Sequence, residues 1–227
     1  MFRIKICGIT RVEDALMVAE AGADAIGLNF CPISPRYVSP ESARRIADAV
    51  RDHVTCVGVF VNPAEEEVRA VVSDVGLDVV QLHGDEPAEL AAGLSRWIPV
   101  LKAFRIGPEG WKPAVEYLSH FERLKGLMRQ VLFDAREPGQ YGGTGKIADW
   151  DALKGYPQAS WHPPFILAGG LTPENVASAI KALHPYGVDT ASGVERSPGR
   201  KDPDLVARFV REAEASLEAH PPKWPRP

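Results

Sequence analysis

Cysteine is scarce in this sequence: Cys7, Cys31 and Cys56 are an odd number at unrelated spacings. There is no Cys-x-x-Cys pair and no histidine at zinc-ligand distance, so neither a disulfide framework nor a zinc site is indicated. Long basic runs are also missing, and the net charge of −4 is spread through the chain. That removes the electrostatic reason to expect nucleic acid or an anionic membrane surface as partner. No apolar run is long enough for a membrane span or the core of a secretory signal, which points to a protein of the cytoplasm. The first strand-like run is not followed by Gly-x-Gly-x-x-Gly, which weighs against a dinucleotide-binding sheet.

What the chain does contain is an alternation. With 45% hydrophobic and 25% charged residues among 227, it can bury a full core. Eight short runs rich in β-branched residues recur along it: FRIKIC, DAIGLNF, TCVGVFV, DVVQLH, VLKAFRI, QVLFDA, PFILAG and GVDTAS. Segments of helical periodicity lie between them, several led by a start signal at Thr10, Ser39-Pro40, Asn62-Pro63, Asp85-Glu86-Pro87, Thr172-Pro173 or Asp202-Pro203. Strands that are apolar throughout and separated by helices imply a parallel sheet covered by its crossovers. Eight such units close most simply into a single (β/α)8 TIM barrel with eight parallel strands. No linker breaks the pattern, so residues 1–219 are expected to form one catalytic domain and the proline-rich 220–227 a loose or peripherally packed tail. The stretch from Ile106 to Gln130 is longer than a single barrel helix needs.

In such a barrel the active site lies at the carboxyl ends of the strands. Cys7, His83, Asp134 and Asp189 stand there, on strands one, four, six and eight, and Arg36 lies in the long loop after strand two. Each has a plainer reading. Cys7 fits a small buried apolar group as well as a base, His83 a hydrogen-bonded turn, and Asp134 a cap for the next segment. Arginine in a long loop is often simply solvated. Glycines follow strands seven and eight in LAGGLTPENV and ASGVERSPG, where barrels commonly hold phosphate on backbone N–H groups, although glycines also make tight turns. GQYGGTGK, residues 139–146, fails as a nucleotide P-loop, because Gln140 and Ile147 occupy two of the positions that motif fixes. It suits a mobile glycine-rich loop over the mouth.

Taken together, KICGIT, GLNFCPISPRYVSPESA, VGVFVN, VQLHGDE, FDAREPGQYGGTGK, LAGGLTPENV and GVDTASGVERSPGRKD resemble, in order, the phosphoribosylanthranilate isomerases of tryptophan biosynthesis. The resemblance implies an aldose–ketose isomerase acting on a small phosphorylated substrate with neither metal nor organic cofactor. Its reaction would be the Amadori rearrangement of N-(5-phosphoribosyl)anthranilate to 1-(2-carboxyphenylamino)-1-deoxyribulose 5-phosphate. The family's general acid and base fall on Asp134 and Cys7, and its anthranilate-carboxylate ligand on Arg36. Gly170, Ser192 and Gly193 are the expected phosphate ligands through their backbone N–H groups. His83 and Asp189 belong to the substrate site by the same resemblance, without an assigned role. A thiolate base wants cationic neighbours and a carboxylic acid wants burial or a nearby negative charge, since the free groups titrate at about 8.5 and about 3.9.

Strand parity adds an expectation of its own. If Cys7, His83 and Asp189 face inward, so do Lys5 and Gln81, because side chains two apart share a face. Lys5 is then expected inside the barrel, paired with a carboxylate, and Asp189 is the best placed. Two rival functions have different signatures. A metal-dependent epimerase on the same barrel would bring several metal ligands to its strand ends, where His83 is the only histidine expected. A catalytically dead scaffold would have lost Cys7 or Asp134 before its core. The sequence leaves monomer and homodimer equally open.

Overall fold

In the computed structural model, which describes residues 1–107, 109–135, 150–156 and 162–222, eight parallel strands form a closed barrel in sequence order. They are β1 (Ile4–Cys7), β2 (Ala25–Asn29), β3 (Thr55–Phe60), β4 (Val79–Leu82), β5 (Val100–Arg105), β6 (Met128–Asp134), β7 (Phe165–Ala168) and β8 (Gly187–Thr190). The helices are α1 (Val12–Glu20), α2 (Pro40–Val50), α3 (Glu65–Val75), α4 (Ala88–Leu94), α5 (Lys112–Arg123), α6 (Val176–Leu183) and α7 (Pro203–Ala219). A 3-10 turn, Trp150–Leu153, precedes β7. Another, Ser192–Val194, follows β8 and leads into a hairpin of β9 (Glu195–Ser197) and β10 (Arg200–Lys201). The long stretch between β5 and β6 holds the single helix α5 and a turn at Lys125, whose φ is 55°. The 139–146 glycine loop and the end of the proline-rich tail lie outside the described residues.

Both strand faces are apolar for the reason that parallel barrels require. Ile4, Ile6, Ile26, Leu28, Val80 and Phe133 point outward into a core shared with helix residues such as Val18, Ile46 and Ile180. Ala25, Val57, Leu101, Ala103, Leu132 and Ile166 fill the inside, with Phe2 packed among them. The alternation sends the residues between Ile4 and Ile6, and after Ile6, inward. Lys5 and Cys7 therefore sit in the barrel.

Two of the helix-start signals act as caps. Ser39 Oγ accepts from Ser42 N at 3.3 Å, and Asp202 accepts from Asp204 N at 3.0 Å and Leu205 N at 3.1 Å. Thr10 and Asn62 do not. Thr10 Oγ1 donates to Gly199 O at 2.7 Å, and Asn62 Oδ1 accepts from Asp85 N at 2.8 Å. At the mouth, short polar side chains bond the neighbouring loop rather than their own helix, because adjacent βα loops bring unpaired backbone groups within reach.

Candidate active site

The first strand delivers Cys7 to the mouth, and the chain turns there at Gly8, whose φ is +74°. Gly8 N and Ile9 N both donate to Gly27 O at 2.9 Å, which ties the turn to β2. Gly27 is itself part of the arrangement. A Cβ at that position would lie 2.6 Å from Cys7 Sγ, so the thiol occupies the space that a side chain on β2 would take. Cys56 contrasts with Cys7. It is buried on the outer face of β3, and burial, with Asp78 adding to it, pushes its thiol up to about 12.

Arg36 crosses directly over the Gly8 turn, where a Cβ would come within 2.4 Å of its Cδ. Gly8→Ala is thus expected to cost about 1–2 kcal/mol from the left-handed backbone alone and to dislodge Arg36. Urea unfolding reads the first effect. The guanidinium grips Glu195 side-on, with Nε to Oε1 at 2.8 Å and Nη2 to Oε2 at 2.6 Å. Glu195 in turn accepts from Lys201 Nζ at 2.8 Å. That ammonium also donates to Cys7 O at 2.6 Å and Ala191 O at 3.0 Å. Burial pulls Lys201 below the ordinary lysine range while Glu195 resists. Three acceptors around one nitrogen call for three protons, so this cage fits the ammonium form.

Inside the barrel, Lys5 Nζ meets Asp189 Oδ1 at 2.9 Å with the lysine fully buried, as strand parity anticipated. The two residues are register partners on adjacent strands. Burial alone would lower Lys5, but Asp189 and Cys7 outweigh it and hold it above 10.5. Burial pushes Asp189 up, opposed by Lys5 and His83 and reinforced by Asp134.

His83 bridges from Gln81 Nε2, 2.9 Å from its Nδ1, to Asp134 Oδ2, 3.3 Å from its Nε2. With the Gln81 amide so oriented, Nδ1 accepts and Nε2–H points at the Asp134 carboxylate, an assignment made from the hydrogen-bond network. The loop that carries His83 is fixed from behind. Glu86 accepts from Asn62 N at 2.8 Å and Gly84 N at 2.9 Å, and from Lys102 Nζ at 3.0 Å.

Glu86 and Glu195 give the fold an acid limit. Burial alone would push both carboxyls up, but Lys102 and the Asn62 N–H outweigh it for Glu86, and Arg36 and Lys201 for Glu195. Both are held below 4.5. A depressed carboxyl contributes stability that is present above its unfolded value and is lost as pH falls through the folded one. The urea midpoint should therefore drop as pH goes below 4.5, and less steeply in Glu86→Gln than in wild type.

Loops seven and eight pack on each other. Gly169 and Gly170 adopt φ of 96° and 67°, Asn175 Nδ2 donates to Gly170 O at 3.0 Å, and Thr190 Oγ1 donates to Leu171 O at 2.7 Å. Gly193 approaches so closely that a Cβ would sit 1.8 Å from Leu171 O. Gly170 is thereby brought beside the Ser192–Val194 turn, whose leading N–H groups have no partner within that turn.

Sequence reasoning thus located Cys7, His83, Asp134, Asp189, Arg36 and the two glycine loops at one end of the barrel. It missed Gly27, Glu195 and Lys201. Parity from Asn29 would have pointed Gly27 inward. Glu195 and Lys201 carried no comparable signal, since charges flanking a Ser-Pro-Gly turn usually face water.

Comparison with known proteins agrees with this geometry. The family profile for N-(5'phosphoribosyl)anthranilate (PRA) isomerase matches residues 4–212. An N-(5'-phosphoribosyl)anthranilate isomerase of Myxococcus xanthus is 46% identical over 214 residues, 94% of this chain and 96% of the relative. The crystal structure of the Thermotoga maritima enzyme superposes with a TM-score of 0.83 at 43% identity, covering 95% of this chain and 100% of that one. A second solved isomerase, in complex with reduced 1-(o-carboxyphenylamino)-1-deoxyribulose 5-phosphate, has a TM-score of 0.79 at 40% identity, covering 95% and 100%. With matches that run from the first strand into the last helix, the chain belongs to the N-(5'-phosphoribosyl)anthranilate isomerase family, the aldose–ketose isomerases of tryptophan biosynthesis.

Proposed function

We propose that the chain performs the family's Amadori rearrangement in the cytoplasm by general acid–base catalysis, with Asp134 as acid and Cys7 as base. Asp134 gives its proton to the furanose ring oxygen, the bond from that oxygen to C1 breaks, and a protonated imine forms. The Cys7 thiolate then takes the proton from C2, leaving an enolamine. Tautomerisation moves a proton from the C2 hydroxyl to C1 and yields the ketone, so no atom is gained or lost. The observation that carries this reading is the presentation of Cys7 and Asp134 at the mouth ends of β1 and β6. Two cations stand close by: Lys201 Nζ donates to the Cys7 carbonyl at 2.6 Å, and Arg36 crosses the Gly8 turn next to it.

The substrate is held at its two ends. Arg36 keeps an open guanidinium edge for the anthranilate carboxylate, and Gly170, Ser192 and Gly193 offer backbone N–H groups to the phosphate. The His83 Nε2–H fixes the Asp134 carboxyl that it faces at 3.3 Å. Asp189, anchored by Lys5, lies within electrostatic reach of both. The direct test incubates the purified chain with N-(5-phosphoribosyl)anthranilate and follows conversion to the deoxyribulose product. Turnover supports the function, and an inactive wild type sinks it.

A further inference from the structure

The charges around Arg36 raise a problem that the neighbouring residues solve. A guanidinium gripped side-on by a carboxylate at 2.6 and 2.8 Å is electrostatically cancelled, and a cancelled pair is a poor anchor for a second carboxylate. Lys201 removes the cancellation. Its side chain is fully buried, that of Glu195 is 3% exposed, and their 2.8 Å contact brings a second positive charge into the group. Arg36, Glu195 and Lys201 together carry one net positive charge, matched to one carboxylate. The geometry agrees with the charge. Glu195 uses Nε and one N–H of Nη2, and among the described residues nothing accepts from Nη1. The end-on fork of the guanidinium is left for a ligand, and the side-on grip fixes its direction.

We infer that Glu195 and Lys201 are positioning residues for substrate selection: Glu195 aims the Arg36 fork, and Lys201 restores the positive charge that Glu195 would otherwise cancel. The inference rests on the reading of Arg36 as the carboxylate ligand. Lys201 has a second attachment that suits the role. Its ammonium holds Cys7 O and Ala191 O, and its backbone N donates to Asp14 Oδ2 at 3.1 Å. The carboxylate anchor, the base and the entry to the Ser192–Val194 turn are thus set from one nitrogen.

The experiment measures dissociation constants for reduced 1-(o-carboxyphenylamino)-1-deoxyribulose 5-phosphate and for its phenylamino counterpart without the ring carboxylate. The counterpart's constant divided by that of the carboxylate ligand reports carboxylate recognition and is insensitive to general loosening, which weakens both ligands alike. Lys201→Met is expected to lower this ratio roughly tenfold or more, the worth of a charge-assisted contact, on top of whatever loss both ligands share through Ala191 O and the turn that follows it. Lys201→Met with Glu195→Gln returns the net charge to plus one and should recover most of the ratio. Glu195→Gln alone keeps one amide oxygen to hold the guanidinium while taking the group to plus two, so it should raise the ratio, and this variant decides if Lys201→Met does not fold. An unchanged ratio in Lys201→Met, no recovery in the double variant, or an unchanged ratio in Glu195→Gln overturns the proposal. Arg36→Met separates the two claims. If it keeps the wild-type ratio, the carboxylate reading fails and the inference goes with it. If it collapses the ratio while Lys201→Met does not, only the inference fails.

Discussion

Cys7→Ala and Asp134→Asn are each expected to lower kcat by about 10²–10⁴-fold, the usual worth of a positioned acid or base, with KM changed little. In the proposed mechanism the two groups serve successive steps, so loss of Asp134 slows ring opening and loss of Cys7 slows removal of the C2 proton. Removing both therefore leaves a double variant about as slow as the slower single one, not slower by the product of the two losses. Asp134→Asn tests chemistry rather than folding, because the amide oxygen can still accept from His83 Nε2, 3.3 Å away in the wild type. Cys7→Ala removes one sulfur from a space that Gly27 already keeps clear. Initial rates with saturating and limiting substrate separate kcat from KM. Near-normal turnover in either variant overturns the assignment of that residue.

The other large effect concerns stability. Lys5→Met should destabilise the chain by about 3–5 kcal/mol, because it strands Asp189 as an uncompensated buried charge. Against a total stability of about 5–15 kcal/mol, that is a substantial fraction. Two further measurements identify the cause. Adding Asp189→Leu to Lys5→Met should regain most of the loss, since a buried pair can be replaced by apolar groups of similar volume at little cost. Acidification should also narrow the gap between Lys5→Met and wild type, because a buried carboxyl relieves its strain by taking up a proton. In the wild type the sign is opposite at the other end of the scale. Lys5 is held above 10.5, so its contribution is complete below that pH and lost as pH rises through the folded value. A Lys5→Met protein with a wild-type urea midpoint would show that Asp189 finds compensation elsewhere.

Much of this arrangement could be read before any coordinate, for reasons that are local. Eight apolar runs with helical segments between them leave few ways to bury both strand faces, and the mouth follows from strand direction alone. Parity carried Lys5 and Gln81 into the barrel because a strand's alternation survives whatever surrounds it. The illegible parts depend on which loop lies beside which. Thr10 and Asn62 have the chemistry of helix caps, yet they bond Gly199 and Asp85 across the mouth. Glu195 and Lys201 sit in a short polar hairpin that any pattern would leave in water, but the hairpin folds over the end of β1 and buries both. Gly27 looks like a minor irregularity in a strand until Cys7 Sγ occupies its place.

The cage that Lys201 makes around Cys7 O joins residues 194 positions apart, and the Lys5–Asp189 pair spans 184. Neither can form before the second of its two residues has been made. At roughly 5–20 residues added per second, the thiol of β1 waits on the order of ten to forty seconds after synthesis for the residues that enclose it. The setting of the first strand consequently depends on residues as late as β10. A fragment that ends before β10 can build most of the barrel wall and still lack the bond that sets its first strand, which makes recovery of turnover a late and sensitive marker of complete folding.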